Sequence, residues 1–162
     1  MTPEGEVKAK VRRALHKRGY YTFPVNQQGI GRRGIPDDFA MINNVPCFIE
    51  FKADMRFDKN NKTAIATLPT VLQVLEMEQA RANGMITYVV DKNNMEEFIS
   101  CIECGIRYSH PWNISIKAFE WYKDISSEFF VNRVKPIFDN NKLLLEPYEL
   151  IPELAEQYNY KE

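Results

Sequence analysis

The sequence has few cysteines, almost no net charge and no long apolar segment. Its three cysteines, Cys47, Cys101 and Cys104, are an odd number in a chain without a basic and apolar leader, which argues for reduced thiols and against a disulfide framework. No uninterrupted apolar run reaches the length of a membrane span. We therefore expect a soluble, cytoplasmic protein that has no membrane partner.

The sequence contains only part of the ligand set of a zinc site. Cys101 and Cys104 form a C-x-x-C, and His110 follows six residues later. However, no second C-x-x-C or H-x-x-x-H completes a tetrahedral set of ligands. The plainer interpretation places the two cysteines three residues apart on one helix face, and the zinc site stands as the alternative.

Composition and charge indicate one compact domain with an appendage. The 162 residues are 44% hydrophobic and 27% charged, which is ordinary for a globular protein. The charge is uneven, with a net +6 over residues 1–36 and a net −5 over residues 93–162. That distribution suits an enzyme acting on nucleic acid, although a solvated helix with a lysine-rich exterior is the alternative. The basic residues that we expect to contact nucleic acid are Lys8, Arg12, Arg32 and Arg33.

Two acids and a lysine stand at a spacing that can hold a divalent metal ion against a phosphodiester. Asp37 closes a Gly-Ile-Pro-Asp motif, and a Glu-Phe-Lys triplet, Glu50 to Lys52, begins thirteen residues later. Between them, two mostly apolar runs, 38–42 and 45–52, flank an Asn-Asn turn signal and predict a β-hairpin. Side chains two residues apart share one face of a strand, so Glu50 and Lys52 project together, and the hairpin returns Glu50 towards Asp37.

The chemistry of these side chains fits phosphodiester hydrolysis. Mg²⁺ and Mn²⁺ prefer hard oxygen ligands, so the carboxylates of Asp37 and Glu50 and the oxygens of the scissile phosphate make a coordination set. Lys52 then either stabilises charge developing on phosphorus or, when deprotonated, helps to activate the attacking water. An isolated Glu-x-Lys is usually a solvated ion pair. The joint occurrence of a Pro-Asp turn, a hairpin and two charges in an otherwise apolar strand favours the metal site.

The N-terminal segment predicts a helix. Thr2 is a candidate N-cap, Pro3 suits the first helical position, and Gly19 ends the pattern. Acids in the first turn, here Glu4 and Glu6, are favoured by the helix dipole. Their functional interpretation is an additional, water-mediated carboxylate for the metal ion. The apolar residues at helical spacing are Val7, Val11, Ala14 and Leu15.

A short strand at 20–25 and a glycine-rich loop at 26–34 precede Asp37. The loop contains Arg32 and Arg33, so it can bring backbone amides and guanidinium groups close to phosphates. It lacks the G-x-x-x-x-G-K-[ST] pattern, and we do not interpret it as a nucleotide triphosphate site.

Beyond a polar segment at 54–62, apolar spacing predicts a helix from Thr70 to near Gly84 and a buried strand at 85–90. Gln73 falls in the first turn of that helix, where it either forms hydrogen bonds near Lys52 and a phosphate or faces solvent. The order helix, strand, hairpin, helix, strand predicts an α/β fold with a mixed β-sheet flanked by helices.

Over about residues 1–100, the chain resembles the VRR-NUC family of the PD-(D/E)XK nuclease superfamily, including its small stand-alone members of phage type. The motifs are specific when they are taken together. They are Met1-Thr2-Pro3-Glu4 ahead of a basic helix, Gly29-x-Gly31-Arg32-x-Gly34-Ile35-Pro36-Asp37, Phe48-Ile49-Glu50-Phe51-Lys52-Ala53, and Thr70-x-x-Gln73 with Gly84 eleven residues later.

The resemblance implies a restriction-endonuclease-like fold and a DNA endonuclease that depends on Mg²⁺ or Mn²⁺. By this carry-over, Asp37 and Glu50 bind the metal ion and Phe51 supplies a backbone carbonyl. The other residues implied are Lys52 as the catalytic lysine, Gln73 as its support, and Glu4 as the helix-borne acid, with Glu6 as the alternative.

The same resemblance implies a substrate, an oligomeric state and a location. Stand-alone members resemble Holliday-junction resolvases in working as homodimers on branched DNA, since two symmetric nicks need two active sites. A bacterial or phage-infected host cell is the expected setting, and phage recombination or DNA packaging is the expected process.

The sequence departs from the small family members in residues 101–162, which we expect to be a separate, helical C-terminal extension. Its aromatic content argues against disorder throughout. We expect it to pack on the core or to form a dimer interface, and its acidity disfavours stacking on unpaired bases. Its aromatic residues include Tyr108, Trp112, Phe119, Trp121, Tyr122, Phe129, Phe130 and Phe138.

Two other functions remain open on the sequence. One is a non-catalytic DNA-binding or assembly subunit that has kept a nuclease fold, against which the intact acids and lysine weigh. The other is a ribonuclease of the same fold, because the metal chemistry cleaves either polymer. Competition between substrates separates them.

Overall fold

The structure is a computed structural model, and it describes residues 1–25, 34–56 and 67–112. Predictions for Arg32, Arg33 and the aromatic residues beyond Trp112 lie outside the described residues. The described elements are α1 (Pro3–Arg18), β1 (Thr22–Pro24), β2 (Asp38–Ile42), β3 (Val45–Phe51), α2 (Val71–Ala82), β4 (Ile86–Val90) and α3 (Met95–Cys104).

Helix α1 forms as the sequence predicts. Thr2 is its N-cap, and the Thr2 hydroxyl accepts a hydrogen bond from the amide of Gly5 at 3.0 Å. Pro3 is the first helical residue, and Gly19, with a φ of 82°, ends the helix in the left-handed conformation that favours glycine. The buried face consists of the four predicted residues, Val7, Val11, Ala14 and Leu15.

The predicted hairpin is formed by β2 and β3. Asn43 and Asn44 both have positive φ, 52° and 65°, as a two-residue turn between antiparallel strands requires. The register sets Asp38 opposite Ile49. As a result, Asp37, the residue just before β2, lies beside the end of β3 that contains Glu50.

The four described strands form one mixed sheet in the order β1-β2-β3-β4. Strands β1, β2 and β3 are antiparallel neighbours, whereas β4 runs parallel to β3 after the crossover through α2. Helix α1 packs against α3 and β3, and α2 packs against β4. The sequence's expectation of an α/β fold with a mixed sheet flanked by helices is therefore confirmed. The core on one face includes Val11, Leu15, Ile49, Phe51, Val90, Phe98 and Ile102.

The chain continues to pack on this apolar core past residue 100, the predicted boundary between the nuclease-like region and the C-terminal extension. Helix α3 crosses that position, and Tyr108 belongs to the same apolar cluster. The amide of Trp112 donates to the carbonyl of Thr87 at 2.8 Å. The first aromatic residues of the expected extension therefore pack on the core.

The cysteines are free thiols, as predicted. Cys101 and Cys104 lie in α3, where Cys101 is half-buried and Cys104 is exposed. Within the described ranges, none of the helices combines the length and the apolar character needed to cross a membrane.

Candidate active site

Asp37 is held between two strands. The amide of Phe51 donates to Asp37 Oδ2 at 2.9 Å, and the Asp37 carbonyl accepts from the amide of Val25 at 2.9 Å. These two bonds fix the aspartate against the last residue of β3 and the residue after β1. The hairpin thus brings Asp37 to the Glu50 end of β3, as its geometry predicts.

Glu50 is buried, with only 2% of its surface exposed. Burial and a hydrogen bond with Asp37 raise the pKa of Glu50 to about 10. Burial by itself would also raise the pKa of Asp37, but its hydrogen bonds with Glu50 and the Phe51 amide, together with Lys8 and Lys52, lower it overall. The two carboxyl groups are therefore coupled, and burial and Asp37 both favour the protonated form of Glu50.

One oxygen of this pair lacks the partner that a buried oxygen normally has. Glu50 Oε2 is buried and, among the described residues, has no hydrogen-bond partner. A buried acceptor without a partner costs about 1–3 kcal/mol in stability. Such an atom in a folded protein therefore needs an explanation, such as a catalytic role or a bound ion. Two adjacent carboxylates, one with a free oxygen, are the hard donor set that Mg²⁺ and Mn²⁺ prefer.

Lys52 follows β3 directly. Its amide donates to the carbonyl of Val90 at 3.0 Å, which ties the end of β3 to the end of β4. The positive charge of Lys52 lowers the pKa of both Asp37 and Glu50. Lys52 is therefore within electrostatic reach of both carboxyl groups, in the position expected for a catalytic lysine.

Helix α1 brings further charges to the site. Lys8 Nζ lies 3.6 Å from Asp37 Oδ1 and 5.9 Å from the centroid of the Phe51 ring. Glu4 is half-buried, and its charge raises the pKa of Glu50, whereas Glu6 is exposed. Of the two acids in the first turn, Glu4 thus has the position expected for the helix-borne carboxylate.

Arg12 has a role that sequence reasoning missed. Its Nε donates to Asp38 Oδ2 at 2.8 Å and its Nη2 donates to Asp38 Oδ1 at 2.6 Å. Asp38 is 1% exposed, so this two-pronged pair joins α1 to β2 in the interior, next to Asp37. The predicted contact of Arg12 with nucleic acid stays a prediction. Two sequence signals were available. Asp38 is a second acid directly after Asp37, and Arg12 lies one helical turn after Lys8 in α1.

Gln73 contributes to the start of α2. Its Oε1 accepts from the amide of Thr70 at 2.8 Å, and its own amide donates to the Thr70 hydroxyl at 3.2 Å. This reciprocal pair is a capping box, which Thr-x-x-Gln ahead of an apolar run signals in sequence. Support of Lys52 by Gln73 stays a prediction, since the described hydrogen bonds of Gln73 are those with Thr70.

A polar network fixes the chain just after Lys52. Asp91, which is buried at the end of β4, accepts from the amide of Met55 at 2.7 Å and from the amide of Asn93 at 2.9 Å. The amide of Lys92 donates to the carbonyl of Ala53 at 3.1 Å. The backbone that follows Lys52 is therefore anchored to the turn after β4.

The metal donors available here are few. Within the described parts of the chain, no three His, Cys, Asp or Glu side chains come together as a metal site. The alternative zinc site from the C-x-x-C, Cys47 and His110 is thus not formed, because all four of those residues are described. The candidate metal site offers two carboxylates, to which the predicted Phe51 carbonyl and a water-mediated Glu4 are additions.

Comparisons of the chain with models of protein families, with curated proteins and with solved structures gave no match. The resemblance to the VRR-NUC family therefore stays a prediction from motifs. Any function has to be inferred from the chemistry of the site itself.

Proposed function

We propose that this protein is a DNA endonuclease that uses Mg²⁺ or Mn²⁺ to hydrolyse phosphodiester bonds, and that its sheet is of the restriction-endonuclease type. One observation carries the proposal: the carboxyl groups of Asp37 and buried Glu50 come together beside a lysine at the end of a hairpin. This arrangement combines a hard, anionic donor pair with a cation, which is what a metal-dependent phosphodiesterase requires.

The residues present fit a divalent ion. Asp37 and Glu50 would hold it through their carboxylates, and the oxygen of Glu50 that lacks a partner would gain one. Glu50 would bind the ion as a carboxylate, because a metal ligand must be deprotonated. When bound, the ion supplies Lewis-acid polarisation of the phosphate and a water of lowered pKa.

The protein's own side chains would divide the remaining work. Lys52 would neutralise charge that develops on the phosphate oxygens, since its position beside both carboxylates puts an ammonium at the reaction centre. The anchoring of the backbone on both sides of Lys52 would keep that ammonium in place. Glu4 would add negative charge on the helix side of the metal ion.

An aromatic cluster on the sheet supports a substrate with unpaired bases, such as branched DNA. Tyr21 is 67% exposed and Phe23 is 40% exposed, and their ring centroids are 5.6 Å apart. Phe23 stacks on Phe39 at 5.0 Å, and Phe39 meets Phe48 edge to face at 6.3 Å. Phe48 precedes Glu50 by two residues in β3, so both side chains project from the same face of the sheet. Exposed rings on the same face of the sheet as a nuclease site can stack on bases that leave the duplex.

The test is cleavage of a labelled four-way junction, a linear duplex, a single strand and an RNA by the purified protein with Mg²⁺ or Mn²⁺. We expect metal-dependent cutting of DNA, with the junction preferred, and loss of cutting in Asp37→Ala and Lys52→Ala. The matched control is Lys92→Ala, which removes an exposed lysine that pairs with Asp54.

Each alternative gives a different result in the same experiment. Tight binding of DNA without cutting in any metal would indicate a non-catalytic subunit. Preferential cutting of RNA would indicate a ribonuclease. Sedimentation of the protein with and without the junction tests the predicted homodimer, which a monomer in both conditions would contradict.

A further inference from the structure

Lys8 reaches the carboxylate pair from α1, although Lys52 already supplies a cation from β3. Its Nζ is 3.6 Å from Asp37 Oδ1, and 27% of its side chain is exposed. The ammonium also lies 5.9 Å from the centroid of the Phe51 ring, whose backbone amide binds the other oxygen of Asp37. Both oxygens of Asp37 thus have a positive or hydrogen-bonding partner.

The helix keeps Lys8 in this position. Val7 and Val11, on either side of Lys8 along α1, are buried in the core. One helical turn later, Arg12 makes its two-pronged pair with Asp38, the neighbour of Asp37. The base of the Lys8 side chain therefore cannot move away from the site without breaking a partly buried ion pair, whereas the rest of this long, partly exposed side chain can change its rotamer.

Lys8 and a divalent ion would compete for the same oxygen. Asp37 Oδ1 faces Lys8, and the other oxygen of Asp37 is bound to the Phe51 amide. A divalent ion on Asp37 and Glu50 would therefore approach the ammonium of Lys8 closely, in a partly buried site where screening by water is reduced. Like charges repel, which disfavours the presence of both cations on this carboxylate.

We propose that Lys8 is the resident counter-cation of Asp37 in the metal-free protein, and that a divalent ion displaces it towards a DNA phosphate. The inference rests on the metal site of the proposed function. It adds that metal binding and DNA binding are coupled. The bound metal ion frees Lys8, which neutralises Asp37 in the metal-free protein, to contact DNA.

The first test is the affinity for Mn²⁺ without DNA, measured by electron paramagnetic resonance on the full chain. In Lys8→Met the competing charge is absent and the stem is kept, so we expect Mn²⁺ to bind about twofold to tenfold more tightly than in the wild type. Lys8→Arg should bind Mn²⁺ about as weakly as the wild type does. Lys10→Met removes an exposed charge from the same helix and serves as the matched control, with little change expected.

The second test is DNA binding with Ca²⁺, a divalent ion used here to occupy the site. If Lys8 moves to a phosphate, Lys8→Met should lower the salt dependence of binding by about one phosphate contact. A salt dependence equal to that of the wild type would overturn the displacement towards DNA.

The outcomes separate this inference from the proposed function. If Mn²⁺ binds through Asp37 and Glu50 with the same affinity in Lys8→Met and in the wild type, the competition is overturned and the nuclease proposal stands. If Mn²⁺ binds neither the wild type nor Lys8→Met, both fail. Thermal unfolding of each variant confirms that the compared proteins are folded.

Discussion

The backbone amide of Phe51 donates a hydrogen bond to Asp37 Oδ2 at 2.9 Å, although the two residues are fourteen positions apart. This bond joins the turn before β2 to the last residue of β3, so the hairpin closes on the carboxylate itself. Because Phe51 follows Glu50 in the strand, the same bond fixes the separation of the two acids. The candidate metal site is thus part of the framework of the hairpin.

Replacing Asp37 should therefore abolish DNA cleavage and leave the fold intact. In Asp37→Asn, the amide oxygen can still accept from Phe51, so we expect the free energy of unfolding to fall by less than about 1 kcal/mol. Metal-dependent DNA cleavage should fall by about a hundredfold or more, because the anionic ligand is lost. Cleavage rates and urea unfolding check the two halves, and near-normal cutting would show that Asp37 is not a ligand.

Arg12 should matter for stability. Arg12→Ala leaves Asp38 buried without its partner, which we expect to cost about 2–4 kcal/mol in the free energy of unfolding, somewhat less than for a wholly buried pair because Arg12 is partly exposed. Arg13→Ala, an exposed neighbour on α1, is the matched control and should change stability by less than about 0.5 kcal/mol. Urea unfolding measures both, and equal stability of the two variants would contradict the role given to the pair.

Glu78 should make stability depend on pH. This glutamate is buried in α2 beside Arg81 at 2.9 Å, and its burial, only partly offset by Arg81, raises its pKa to about 7 from an ordinary value of 4.5. A folded-state pKa above the unfolded value means that the stability contribution is full below about pH 4.5 and is lost as pH rises through about 7.

The variant Glu78→Gln removes this titration. The free energy of unfolding of Glu78→Gln, measured relative to that of the wild type, should increase by about 2 kcal/mol as the pH rises from 5 to 8. Urea unfolding at the two values of pH measures the gain. Glu103→Gln, an exposed change in α3, is the control, and a pH-independent difference between Glu78→Gln and the wild type would contradict the prediction.

The exposed rings on the face of the sheet that also contains Glu50 should contribute to binding of unpaired bases. Tyr21→Ala should weaken binding to a junction or single strand by about tenfold, since base stacking on an aromatic ring contributes about 1–3 kcal/mol. Tyr21→Phe keeps the ring and should bind nearly as the wild type does. Fluorescence anisotropy with Ca²⁺ measures these affinities, and an equal loss on fully paired duplex would argue against stacking. A change in the sedimentation of Tyr21→Ala would instead assign the ring to an interface between copies.

Sequence signals that act over a few residues predicted most of the described fold. The Thr2-Pro3 start and Gly19 end of α1 are local chemistry, and Asn43-Asn44 states its own turn type. The hairpin length then placed Asp37 near Glu50 without further information. The closeness of these two acids is therefore readable from sequence alone.

Pairings between distant elements were not predictable in the same way. Arg12 and Asp38 are 26 residues apart, and their contact depends on how α1 is rotated about its axis when it packs on the sheet. The approach of Lys8 to Asp37 follows from the same rotation. The buried state of Glu50 also has no local signature, because it requires the complete packing around β3.

The most direct test of the account is metal-dependent cleavage by Glu50→Gln. Burial raises the pKa of Glu50 well above its ordinary value, which favours the protonated carboxyl, and glutamine closely mimics that form. We predict an unfolding midpoint within a few degrees of the wild type, together with loss of Mn²⁺ binding and a fall in DNA cleavage of about a hundredfold or more. Glu78→Gln, the same change at another buried glutamate, should cut as the wild type does. Cleavage by Glu50→Gln at the rate of the wild type would contradict the assignment of the carboxylate pair as the metal site.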